Sequence, residues 1–455
     1  MQVSERESAL TALAADVVER AKAAGATASE VFVRQGSETS IQVRDGAVEE
    51  LQGGQPKSVG IRLWRGGRVA STYATDMRPA TIDTLIADTL QLADLTDEVP
   101  EAALVDKHRL ASEVPELGLY DAMVGDVPAE RKLEIARATE AAALAADERI
   151  VRTGGAAYSD HIMTSVLANS HGFRRAVSGT FVSYHVEAIA DDADGKKRNG
   201  MWYTMGRALN GLLTPEEVGR VAAERATRQI GAGAVPTATL PVVFDPLAAA
   251  ALLGLLFSVI KGGSVERGSS YLIGKLGESI AASGLTVYDD PLIIGGSGSR
   301  PTDGEGLAAS RTEFVKDGVL QQWALNSYNA RKLGLEPTGH ASRPASGAPG
   351  ESASNLRIAT GAHSVDDLIK DISYGFYCES MMGFGFNAAT GDFSRGASGR
   401  LIENGQLTRP VSEVTLSANF ADLWPRLDGV GDSFDASRSV ASPALRFSSM
   451  TLAGS

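Results

Sequence analysis

The stretch TLPVVFDPLAAAALLGLLFSVI, residues 239–260, decides how the rest of the chain is read. TLPVVFD has the texture of a buried strand. Leu247–Ile260 is the longest apolar run in the sequence. It is too short to span a bilayer and reads as a helix packed inside a globular domain. A zinc hydrolase would use such a helix to present two metal ligands on one face, at i and i+4 or a nearby spacing. This helix carries no imidazole, carboxylate or thiolate at all.

Working outward, residues 236–455 turn into short strands, glycine-rich turns and long polar loops. The two longest loops are GGSGSRPTDGEG (Gly295–Gly306) and HASRPASGAPGESAS (His340–Ser354), and loops of that length are often functional. This part is expected to be a mostly antiparallel β domain around the buried apolar helix. Upstream, residues 116–235 read as a middle α+β region. A long helix opens at Pro128. Strands follow over IVRTGGAAYSDHIMTSVLANS and GTFVSYHVEAIADDADGKKRNGMWYTMGRAL, and a helix over Thr214–Gly231 closes the region. Asp194-Gly195 reads as a hairpin tip. A calcium loop there would need acidic side chains where Ala190 and Met201 stand.

Residues 1–115 are expected to form a helix/antiparallel-sheet unit. Ser4 and Glu7 fit a capping box before Leu10, Leu13, Val17 and Ala21, and Gly25 stops the helix. Three strand-like stretches follow at Glu30–Arg34, Thr39–Leu51 and Lys57–Ala74, with turns at Asp45-Gly46 and Gly66-Gly67. A helix over Thr81–Leu95 should bury Ile82, Leu85, Ile86 and Leu92. The fold class is α+β.

The net charge of −13 speaks against a surface that grips a phosphate backbone, so direct nucleic-acid binding is not expected. The one cysteine, Cys378, allows no internal disulfide and no cysteine-rich metal site. Together with an N-terminus that lacks an apolar signal core, this predicts a cytoplasmic protein without a membrane segment. HExxH, HExxxH, a G-x-S-x-G elbow and the phosphate-binding loops are absent. The six histidines, at positions 108, 161, 171, 185, 340 and 363, share no ligand spacing. Cys378 has no sequence-visible base to activate it and reads as a small buried residue.

Several blocks carry a family resemblance: NSHGF (Asn169–Phe173), GGSVERGSSYL (Gly262–Leu272), NSYNARKLGLEPTGHA (Asn326–Ala341), TGDFSRGASGRLIENG (Thr390–Gly405) and PVSEVTLSAN (Pro410–Asn419). With the N-terminal block Val43–Ala70 they touch all three regions. The chain resembles the TldD/PmbA family, and within it the PmbA (TldE) branch. The resemblance implies a metallopeptidase assembly that processes or degrades unfolded peptides. TldD-like chains of the family carry HExxxH on the helix after the TLPVVF-like strand, with a later cysteine completing the zinc site. Counting back from Gly268-Ser269-Ser270, those positions fall at Leu253, Gly254 and Ser258. The first two side chains have no donor atom, and a neutral hydroxyl is a poor zinc ligand.

The expectation is therefore a chain with no cofactor and no catalytic residue of its own. It would pair with a zinc-bearing TldD-like subunit and help line the peptide channel. The groove positions expected are Asn326, Ser327 and Tyr328, with Thr390, Gly391, Asp392, Phe393, Ser394 and Arg395. Glycines at 383, 385, 391, 396 and 399 suit either strand addition by a peptide or simple sheet corners. Two alternatives stand beside this reading. One is a peptidase active alone through His171, His185, His340 or His363. The other is a homodimeric peptide-binding module.

Overall fold

The computed structural model describes residues 2–193, 195–344 and 347–454. Asp194 of the expected hairpin tip lies outside the described residues, as do Ala345 and Ser346 of the second long loop. The chain is α+β, with a helix-backed antiparallel sheet at the N-terminal side and a β-rich C-terminal part.

Helix α1 (Val3–Ala23) starts earlier than the Ser4/Glu7 pattern suggests. Its cap is Gln2, whose backbone N–H donates to Glu5 Oε2 at 3.0 Å. Strand β1 (Ala28–Arg44) runs unbroken through the two stretches read as separate strands. Gly36 makes that possible: a Cβ there would meet the Ile162 carbonyl oxygen at 2.1 Å. A bare backbone lets the neighbouring strand pass without a break. β2 (Ala47–Gly54), β3 (Lys57–Arg65) and β4 (Arg68–Ala74) follow by tight turns, and α2 (Pro79–Asp94) packs on β3 and β4. Leu92, expected in the core, is 45% exposed. The buried stripe of α2 runs through Ile82, Ile86, Thr89, Leu90 and Ala93 instead.

Pro128 caps α3 (Ala129–Ala145) from outside the helix. The hairpin of β5 (Ile150–Asn169) and β6 (Arg174–Asp191) continues into β7 (Lys197–Gly206). Helix α4 (Pro215–Thr227) follows, with a capping box of Thr214 and Glu217. β5 pairs with β1 from Glu30↔Asn169 to Val43↔Ala156. Segments on both sides of residue 115 therefore share one sheet, in the order β4-β3-β1-β5-β6-β7 with β2 on β1. The four helices pack on one face of it in two apolar clusters. α4 lies directly on β7 at Gly200, where a Cβ would stand 2.2 Å from the Ala226 nitrogen.

β8 (Ala238–Phe244) leads through Asp245 into α5 (Pro246–Ile260). The Asp245 carboxylate accepts the Leu247 N–H at 2.9 Å and so caps the helix. β9 (Tyr374–Met382), β10 (Asp392–Glu403), β11 (Gln406–Asn419) and β12 (Leu445–Ala453) complete the main C-terminal sheet. The order β11-β10-β9-β8-β12 closes on itself, because β12 also pairs with β11 at Thr415↔Ala453. Only β8 and β9 run parallel within that ring. Leu252, Leu253, Leu256 and Ile260 of α5 pack with Phe244, Phe376, Trp424 and Phe447 in the largest apolar cluster. α5 is not buried on every side: Leu247, Ala251, Gly254, Leu255 and Ser258 are half-buried. No helix among the described residues is long and apolar enough to cross a membrane.

Two neighbouring positions on α5 should respond oppositely to the same side chain. Leu253 is fully buried, so Leu253→Ala is expected to cost about 2–5 kcal/mol in urea unfolding. A Cβ at Gly254 meets nothing within 4 Å, so Gly254→Ala is expected to gain up to about 1 kcal/mol from helix propensity alone.

Candidate functional site

Leu253, Gly254 and Ser258 are the positions on α5 where the family resemblance led zinc ligands to be expected. Leu253 points into the core. Gly254 offers no side chain. The Ser258 hydroxyl donates to the Leu255 carbonyl at 2.6 Å, a bond within its own helix. A donor set of this kind does not fit zinc. Cys378 is buried on β9, where its thiol donates to the Ser380 carbonyl at 3.5 Å. Burial pushes that thiol far above its usual range, which disfavours the thiolate a metal needs.

The histidines do not converge. His171 Nδ1 lies 2.9 Å from the Val105 carbonyl oxygen. His340 is buried between Asp289 (3.3 Å) and Thr338 (2.9 Å). His161 and His185 stand on the helix-free face of the large sheet, where burial lowers both below the ordinary imidazole value. Among the described residues no group of three or more His, Cys, Asp or Glu side chains could hold a metal ion.

The expected groove positions fall in two places. Asn326 caps the short helix Ser327–Leu333: its side-chain oxygen accepts the Asn329 N–H at 2.8 Å, and its amide donates to the Pro349 carbonyl at 3.0 Å. Ser327 is buried, and its N–H donates to Glu305 Oε2 at 2.8 Å. Tyr328 is half-buried beside Lys332. At the second place, Thr390, Asp392 and Ser394 are exposed, Arg395 is half-buried, and Phe393 joins the core. Gly391 packs against the Tyr271 ring, 3.3 Å from where its Cβ would be. The strand edge at Asp392–Ser394 is occupied by the chain itself: Ser394 N–H donates to Gly385 O and Asn387 N–H to Asp392 O, both at 2.8 Å. No hydrogen bond joins the two places among the described residues.

A larger opening lies elsewhere. A cleft of about 970 Å³ separates β7 and α4 from β9, β10 and β11. Leu247, at the start of α5, is on its wall. Trp202 lies under the Arg225 guanidinium (5.2 Å) and Tyr203 under that of Arg438 (4.8 Å). Arg198 is paired with Asp192 at 2.6 Å and bonded to the Ala232 carbonyl at 2.8 Å. On the barrel side Glu379 sits between Arg228 (3.2 Å) and Arg400 (3.0 Å). Sequence reading passed over this wall. Its signal was the pair Trp202-Tyr203 beside basic residues on the last strand of a sheet.

The two long loops also find their roles here. Asp303 is buried where the loops meet the large sheet. Its carboxylate accepts N–H groups from Glu305 (2.9 Å), Leu307 (3.0 Å) and Ala341 (3.2 Å). Nearby, Arg343 pairs with Glu30 of β1, and both are buried. These loops fasten the barrel to the sheet.

The sheet, barrel and apolar helix are the scaffold of a metallopeptidase family, as comparisons with known proteins show. Three models match in order along the chain: PmbA/TldA metallopeptidase domain 1 at residues 29–93, the central domain at 124–230 and the C-terminal domain at 237–454. Metalloprotease PmbA of Escherichia coli O157:H7 is 35% identical over 94% of this chain and 92% of its own length. A solved structure from Bacteroides thetaiotaomicron, a candidate modulator of DNA gyrase, superimposes with a TM-score of 0.90 at 30% identity, covering 97% of this chain and 98% of that one. TldE from Thermococcus kodakarensis shares the fold, with a TM-score of 0.86 at 19% identity over 97% of this chain and 100% of that one. The chain belongs to the PmbA/TldD metallopeptidase family, on its PmbA/TldE side.

The buried Asp303 has a pH signature. Burial, and then the charge of Glu305, raises it from an ordinary 3.8 to about 7. A carboxyl raised in the folded state holds its proton more tightly there than in the unfolded chain. Its stabilisation is complete below the unfolded value and is lost as pH rises through about 7. Asp303→Asn should therefore gain Tm relative to the parent as pH goes from 5 to 8. A Tm difference that stays flat over that range would contradict the assignment.

Proposed function

We propose that this chain is the non-catalytic subunit of a cytoplasmic metallopeptidase, paired with a zinc-bearing TldD-like chain. The observation that carries the proposal is α5, where Leu253, Gly254 and Ser258, the positions to which the family resemblance points, offer neither imidazole nor carboxylate. A hydrolase must hold a metal-bound water beside a general base. A leucine in the core and a serine bonded to its own helix supply neither.

Losing the ligands spares the fold, because α5 is held by apolar packing. The chain can then keep the shape that partners need. Two-chain assemblies of related subunits reuse self-complementary surfaces, so a duplicated scaffold can hold an active sister in place. The substrate class proposed is unfolded polypeptide. Tyr328, Thr390, Asp392, Ser394 and Arg395 would contribute to the channel wall, while Asn326 and Ser327 would hold the helix from which Tyr328 projects.

The test is reconstitution. A tagged full-length chain should co-purify with a TldD-like relative encoded in the same genome. The pair should cleave an unfolded substrate such as reduced, carboxymethylated casein, and the single chain should not. Cleavage by the rigorously pure single chain would overturn the proposal.

A further inference from the structure

β7 is the last strand of the large sheet, and among the described residues its outer edge pairs with no other strand. Seven consecutive residues, from Lys197 to Tyr203, line the cleft. Side chains of a strand alternate between faces, so a consecutive run lines a cavity when the strand presents its edge to it. At its start the edge is tied to the barrel. Arg198 Nη1 reaches the Ser412 hydroxyl at 3.5 Å, and Lys196 pairs with Glu413. β11 bulges there, and Glu413 takes a positive φ of 60°.

Beyond that tie the two walls separate. The carbonyl of Asn199 points outward and accepts the Gln229 amide at 2.7 Å. In an antiparallel ladder, outward-pointing residues recur every second position. Met201 and Tyr203 are in phase with Asn199, so their N–H and C=O groups also face the cleft. No hydrogen bond to these groups exists among the described residues outside the ladder with β6. An unpaired edge of this kind is a template for another strand.

The side chains add a preference. Trp202 and Tyr203 are broad surfaces for apolar and aromatic groups. Lys197, Arg198, Arg225 and Arg438 outnumber Glu187 and Glu413 on the wall. Lys197, Arg198 and Arg438 pair with Asp191, Asp192 and Asp435, whereas Arg225 forms no ion pair among the described residues. In a chain of net charge −13, this is a locally basic cleft. Its volume of about 970 Å³ lies at the top of the range of ordinary ligand pockets, about 300–1,000 Å³, and an extended segment fits it better than a small metabolite does.

We infer that an extended polypeptide docks in this cleft by strand addition to β7, pairing with the backbone of Met201 and Tyr203, and that the cleft favours acidic and aromatic side chains. The inference rests on the polypeptide-handling role proposed above. It places peptide capture at the edge of β7, across the cleft from β10, and not at the strand edge of Asp392–Ser394, which is already filled.

The probe is a fluorescein-labelled extended peptide of alternating Glu and Phe, titrated against the full chain by anisotropy. Two further peptides are N-methylated at alternate amides, one on the odd and one on the even positions. Strand addition predicts that one pattern weakens binding at least tenfold and the other leaves it within about threefold. Met201→Pro removes an outward N–H while sparing the ladder to β6, and should weaken the parent peptide by a similar factor with Tm retained. Hydrogen exchange should slow at 199–205 in the complex. Equal binding of the two N-methylated peptides, absence of binding, or protection only at 385–395 would each overturn the inference. Partner-dependent cleavage of unfolded casein tests the functional proposal separately. Intact cleavage beside a failed peptide result would sink the β7 site alone.

Discussion

The packing of α5 against the barrel is the constraint from which the rest follows. Its leucines meet Phe244, Phe376, Trp424 and Phe447 in one continuous cluster, and its first turn is held by the carboxylate of Asp245. Asp245 itself lies beneath Tyr377 (3.4 Å), and burial raises its proton affinity. Nothing polar interrupts the buried face. A metal-binding helix must trade some of that burial for ligands and for the groups that orient them. Here the trade has been made in the other direction, and the half-buried face through Gly254 and Ser258 is smooth and uncharged.

A second constraint joins the two halves. The large sheet has helices on one face only, and its other face must be covered or left to a ligand. The long loops cover part of it through Arg343–Glu30 and through Arg207, which donates to the Ser297 carbonyl at 2.7 Å. Buried charges of this kind require partners, because an unpaired one costs several kcal/mol, roughly 3–5. The loops are long because they must span from the barrel to the sheet and bring polar groups to meet it. Where they stop, the cleft beside β7 begins.

Much of this was legible in the sequence. The apolar run at 247–260, the strand before it and the glycine-rich tail pointed to a β domain around one helix, and periodicity found the helices of the first half. The errors have physical causes. The strand-like stretches Glu30–Arg34 and Thr39–Leu51 read as separate strands in the sequence, whereas Gly36 between them lets β5 pass closely and the strand runs on. Leu92 looked like core because helical spacing does not say how wide the buried stripe is. Asn326 and Ser327, expected along a groove because polar residues in a distinctive motif suggest a ligand, satisfy the backbone of a short helix and a loop. The cleft was invisible because it lies between segments far apart in the chain, and no local pattern marks a free strand edge.

A helix without metal-binding side chains lies at the centre of a scaffold shared with metallopeptidases. Crystals of the single chain grown with excess zinc, with data collected at the zinc absorption edge, examine that directly. No anomalous peak is predicted beside residues 253–258. A well-occupied peak there, with protein ligands around it, would contradict the account.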